Sequence, residues 1–236
     1  MKHNRRSFHT IINGILYGAI ALTPFHSEGD DAVWESDAEV ASVLIPYVDA
    51  NYDRIVKEQE RELGITFSSV PQYSFDAHPT FEANARYYPE TGNITFYTAA
   101  AFEEGFLAQF LTAYHVTKRE YRKNLEVTVK HELGHDYFFE RADVFGMDQY
   151  WEHDVEKFQG QRSADRDIIE GVGEYSGGRK KEDSYTQKRY ELVAPILSLD
   201  YRAGIDAIVQ NPPLPSELTD LRLYTQRIVE IVQRSQ

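Results

Sequence analysis

Apolar residues recur at three- and four-residue steps between Asp37 and Leu63, at Val40, Val43, Leu44, Tyr47, Val48, Tyr52 and Ile55. That spacing places them on one face of a helix, and Gly64 stands where the helix should stop. From 65 to 98 the character changes: β-branched and aromatic residues are interrupted by Pro71, Pro79 and Pro89. Within this stretch ANARYYPETGNITFY reads as two short strands, about 84–88 and 93–97, joined by a Pro/Gly turn. Helical composition returns over 99–139, followed by an irregular polar stretch at 143–162. Helices are expected again near 164–176, 184–198, 201–209 and 217–234, with breaks at Gly177-Gly178 and at Pro212, Pro213 and Pro215. Tyr190, Val193, Ile196, Leu197, Ile205 and Ile208 in this tail read as core. The pattern therefore predicts an α+β fold, with a small mixed α/β part over about 37–118 and a helical part over about 119–236.

The chain ahead of residue 37 has a different character. Residues 1–10 carry Lys2, Arg5 and Arg6 with no acid, and residues 11–25, IINGILYGAIALTPF, carry no charge. A basic start, a short apolar run and the A-x-A-like Ala19-Ile20-Ala21 predict an export signal within 1–26, or an N-terminal anchor if it is not cut. The apolar run is short for a spanning helix, which needs about 20 residues. Arg5 and Arg6 in NRRSFHT resemble a twin-arginine signal. The expectation is export to the periplasm, the cell surface or the medium. Residues 27–36 then form an acidic, flexible lead-in to a domain spanning 37–236.

Composition narrows the chemistry. With 25 Lys+Arg against 38 Asp+Glu the formal charge is −13, which opposes nonspecific binding to nucleic acid or anionic membranes. No nucleic-acid partner is expected, and no stable membrane association unless the N-terminal segment stays uncleaved. The absence of cysteine excludes disulfides, a thiol nucleophile and thiolate metal ligands. A transition metal bound here must be held by histidine and carboxylate.

Residues 127–140, VTVKHELGHDYFFE, offer that set. His131-Glu132-Leu133-Gly134-His135 matches H-E-x-x-H. Positions four apart share a helix face, so both imidazoles can aim a nitrogen at one ion. Glu132 then lies beside the ion as a base rather than a ligand. A random chain of this composition would contain only about 0.03 such matches. Gly134 costs a helix about 1 kcal/mol against alanine, so close approach of another element is expected there.

A zinc site needs a third protein ligand. The longer pattern HExxHxxGxxH is excluded, because Phe138 and Arg141 stand where it requires glycine and histidine. Glu140, Asp143, His153, Asp154, Glu170 and Glu174 remain. Glu140 is about 140° around a continuing helix from His135 and faces elsewhere. His153 and Asp154 are not excluded by spacing. The stretch Asp167–Tyr175 is the better offer: if helical, it puts Glu170 and Glu174 on one face beside Gly173 and Gly177, whose small size would let it press against Gly134. One carboxylate could then ligate while the other orients a histidine.

HELGH followed by Glu170-Gly-x-Gly-Glu174-Tyr resembles the gluzincin class of zinc metallopeptidases, whose second helix often reads E-G-x-A-E-Y. The resemblance runs over about residues 80–178, with Gly173 in place of the class's alanine. It implies a zincin-like two-lobed fold, one Zn²⁺ per chain held by His131, His135 and Glu170, and Glu174 as the partly buried acid one turn later. It also implies an edge strand, here Asn93, Ile94, Thr95, Phe96 and Tyr97, pairing with an extended peptide or protein substrate. Many gluzincins aim a tyrosine or histidine at the oxyanion. Tyr185 and Tyr190 follow the second helix and are the candidates for that role.

The activity so implied is zinc-dependent hydrolysis of peptide bonds, with a zinc-bound water activated by Glu132, which then protonates the departing nitrogen. Two other readings stand beside it: a catalytically silent zinc-binding or interaction protein on the same scaffold, and an acidic exported interaction module whose HELGH is accidental.

Overall fold

The computed structural model describes residues 33–76, 85–98, 106–152, 159–178 and 184–235. The export signal read at 1–26 and most of the acidic lead-in lie outside these residues. Among the described residues there are eight helices and one small sheet, a mixed α+β arrangement that is mostly helical. No helix among them is long and apolar enough to cross a membrane.

Helix α1, Asp37–Leu63, begins where Ser36 accepts from the Glu39 N–H and ends at Gly64, whose φ of 65° is the left-handed turn a glycine makes at least cost. Its buried stripe is Val40, Leu44, Val48, Tyr52, Ile55 and Val56, the face the periodicity marks. Strand β1, Gln72–Asp76, is not marked by the sequence pattern; Pro71 stands at its threshold, and only pairing with a distant strand makes it one. Strands β2, Ala85–Tyr88, and β3, Asn93–Tyr97, form a hairpin close to the expected limits.

The strand order is β1-β3-β2, with β1 parallel and β2 antiparallel to β3. This corrects one expectation. Asn93, Ile94, Thr95 and Phe96 are in the centre of the sheet, so their backbone groups are used on both sides and cannot receive a substrate strand. The strand beside the HELGH helix is β2. Ala85 and Tyr87 pair with Phe96 and Ile94, and these four are buried on the helix-facing side.

After α2, Phe106–Ala113, comes α3, Lys118–Val144, the central helix. It opens with a reciprocal cap in which Thr117 and Glu120 satisfy each other's backbone N–H groups. Every residue from His131 to Phe138 is buried, because α1, α5, α7 and β2 surround this part of the helix. The polar stretch expected at 143–162 contains a short helix, α4, Asp148–Glu152, and α5 starts early, at Gln159, and runs to Ser176. Helices α6, Ser184–Leu197, α7, Tyr201–Gln210, and α8, Leu221–Ser235, follow the expected tail.

Two glycines set the position of α5. On its α3 side, a Cβ on Gly173 would lie 2.7 Å from the His131 ring and 2.8 Å from the His135 ring. On its α6 side, a Cβ on Gly171 would lie 2.5 Å from the Arg189 carbonyl oxygen. From α3, the Gly134 position faces Ser176, whose Oγ would be 2.5 Å from an added Cβ. Helix α5 is therefore held between α3 and α6 at distances only glycine allows.

Candidate metal centre

His131 and His135 project from one face of α3 onto the backbone of α5, and their Nε2 atoms are 2.9 Å apart. Glu170 on α5 brings Oε2 to 3.8 Å from His131 Nε2. One ligand atom from each of His131, His135 and Glu170 lies within 4.8 Å of the others, a group able to hold a metal ion. Ligand bonds of about 2.0–2.1 Å in a tetrahedron put donor atoms about 3.3 Å apart, which the observed spacings bracket.

The donor chemistry agrees. Burial holds the His135 imidazole below its ordinary pKa, so it stays neutral and keeps a lone pair to donate. Glu170 acts in the opposite direction on this group, and Arg189 adds to the lowering. His135 Nδ1 is buried without a hydrogen-bond partner. Glu174, 4 % exposed, places Oε1 4.0 Å from His131 Nδ1, on the ring nitrogen turned away from His135. That separation is longer than a hydrogen bond, and it puts the carboxylate on the side from which a ligating histidine is oriented.

Glu132 is 6 % exposed, and its Oε2 accepts the Tyr87 backbone N–H at 2.8 Å. The Tyr87 N–H thus points away from β3 and towards α3. Burial pushes the Asp136 carboxyl up to about 7, and the Tyr87 hydroxyl acts on it in the opposite direction. The Tyr87 ring stacks on Phe139 with centroids 6.0 Å apart. One strand residue therefore grips positions 132, 136 and 139 of the helix. Tyr87→Phe should remove the Asp136 contact and destabilise the protein by about 1–2 kcal/mol in denaturant unfolding. An unchanged midpoint would show that the hydroxyl contributes nothing.

The other candidates separate clearly. Glu140 turns away and accepts from the Ser68 backbone N–H at 3.0 Å. Asp143 is exposed near the end of α3. Tyr190 stacks on Tyr175 with ring centroids 5.6 Å apart, which makes it a packing residue of the α5–α6 contact. His153 and Asp154 lie outside the described residues, as does the side chain of Tyr185. Tyr87 and Arg189 adjoin Glu132 and Glu170 without any signal in the sequence. No periodicity singles them out, since each matters through a contact with a different element.

Comparison with protein-family models, curated proteins and solved structures finds no match.

Proposed function

We propose that this chain is a zinc-dependent peptidase of gluzincin type that acts outside the cytoplasm. The observation that carries the reading is the convergence of His131, His135 and Glu170 from two helices, with the Glu132 carboxylate adjoining on the same turn. Two imidazoles and a carboxylate, with no thiolate, suit zinc and leave a fourth position for chemistry. When bound, zinc supplies a Lewis acid that polarises the scissile carbonyl and makes water acidic enough to attack near neutral pH.

The remaining work falls to the chain. Glu132 takes a proton from the attacking water as the new C–O bond forms and gives it to the nitrogen as the C–N bond breaks. The Tyr87 N–H, 2.8 Å from Oε2, fixes the direction of this carboxylate. As the strand of the sheet that adjoins α3, β2 is where an extended peptide would align, with the Tyr87 N–H already engaged by Glu132. That shifts the substrate strand expected at Asn93–Tyr97 to Ala85–Tyr88.

A second reading, a zinc-binding protein without turnover, draws on the same hydrogen bond, since Glu132 could serve only to seal the sheet edge. Metal content is the first test. Wild type should contain one zinc per chain by elemental analysis, and Glu170→Ala little or none. Zinc in both would move the third ligand, and zinc in neither, after reconstitution, would remove the metallopeptidase reading altogether.

A further inference from the structure

Arg189 lies on α6 with its side chain only 11 % exposed. Its Nε is 3.0 Å from Asp167 Oδ1, and its Nη1 is 3.6 Å from Glu170 Oε2. That Glu170 oxygen is the one nearest His131 Nε2, at 3.8 Å. Asp167 and Glu170 are three apart on α5, so one planar guanidinium spans two carboxylates of the same helix face. The approach depends on Gly171, since a side chain there would meet the Arg189 carbonyl.

Glu170 needs such a partner. Its side chain is 31 % exposed and has three rotatable bonds, so packing alone does not hold it towards the two imidazoles. The guanidinium is anchored at one end by Asp167 and cannot follow Glu170 into solvent. A carboxylate oxygen has two lone pairs, so facing Arg189 leaves Glu170 able to donate to an ion on its other side.

We infer that Arg189 is a positioning residue of the metal centre, locked by Asp167 and holding Glu170 in its ligating orientation. The inference rests on the metal reading of His131, His135 and Glu170. It assigns to α6 a part in metal binding that neither the HELGH motif nor the α5 glutamates carry.

The test is a zinc competition titration against a chromophoric chelator. The proteins are wild type, Arg189→Gln, Arg189→Lys and Asp167→Asn, each checked by thermal unfolding in the metal-free form. Arg189→Gln should weaken zinc binding about 10- to 100-fold, the range for partners that orient a ligand. Arg189→Lys should recover part of the loss, because it restores charge without the fork. Asp167→Asn should weaken binding in the same direction, and the double variant should lose less than the two single losses combined. Cobalt(II)-loaded Arg189→Gln should also shift its visible absorption, which reports ligand geometry and which a remote brace would not move. If Arg189→Gln does not fold, Asp167→Asn and Arg189→Lys decide the matter. Unchanged or tighter zinc binding in folded variants would overturn this inference alone. A wild type that binds no zinc would overturn it together with the metal reading.

Discussion

Glu132→Gln is expected to keep one zinc per chain and a native unfolding temperature while lowering peptide hydrolysis about 100- to 10,000-fold. The structure makes the comparison clean. The glutamine amide oxygen still accepts the Tyr87 N–H now held by Glu132 at 2.8 Å, so strand and helix stay joined. What disappears is the ability to take and return a proton, since an amide nitrogen has no lone pair to offer at ordinary pH. Cleavage of a fluorogenic peptide library, with zinc measured on the same samples, reads both quantities. Activity near the wild-type level would remove Glu132 from the base role. A wild type with zinc but no cleavage would favour the silent zinc-binding protein.

The second large effect is expected at the helix contact behind the candidate metal centre. In an open helix, glycine to alanine stabilises by about 1 kcal/mol. Here the sign should reverse. Gly134→Ala puts a methyl 2.5 Å from Ser176 Oγ and 2.6 Å from its Cβ, which forces α3 and α5 apart. A loss of about 1–3 kcal/mol is expected in denaturant unfolding, and adding Ser176→Gly should recover most of it.

Gly173→Ala strikes the two imidazoles themselves, with the new Cβ 2.7 Å from His131 Nε2 and 2.8 Å from His135 Cε1. Zinc affinity should fall by about tenfold or more, since displaced imidazoles cannot share one ion with Glu170. Stabilisation by Gly134→Ala, or full zinc affinity in Gly173→Ala, would mean that the helices are not so close. The Gly173 result has added interest because alanine is the residue the gluzincin pattern often carries there. This chain's α5 is pressed against the two imidazoles closely enough that the common residue should not be tolerated.

Much of this was determined by the sequence alone. The apolar steps from Val40 to Ile55 and the glycine at 64 mark α1 to within a residue, because helical period and left-handed stop are local properties. The hairpin at 85–97 was legible for the same reason, as a turn between two β-rich runs. His131 and His135 were paired by their spacing, and Glu170 and Glu174 by theirs. The need for small residues between the two helices could be read from Gly134, Gly173 and Gly177.

Tertiary structure decided what lies between elements. Which strand is the edge depends on β1, a run that becomes a strand only by pairing in parallel with β3, some twenty residues further along. That one pairing moves Asn93–Phe96 to the middle of the sheet and leaves β2 above Glu132. Tyr87 reaches Glu132 through a backbone N–H, a group every residue but proline possesses, so no residue type could announce that contact. Arg189 meets Glu170 only because Gly171 admits α6, and a salt bridge between separate helices has no period to read. The ligand motif is thus written in local spacing, whereas the residues that aim its side chains are chosen by packing across the core, where contacts join parts of the chain that local physics does not link.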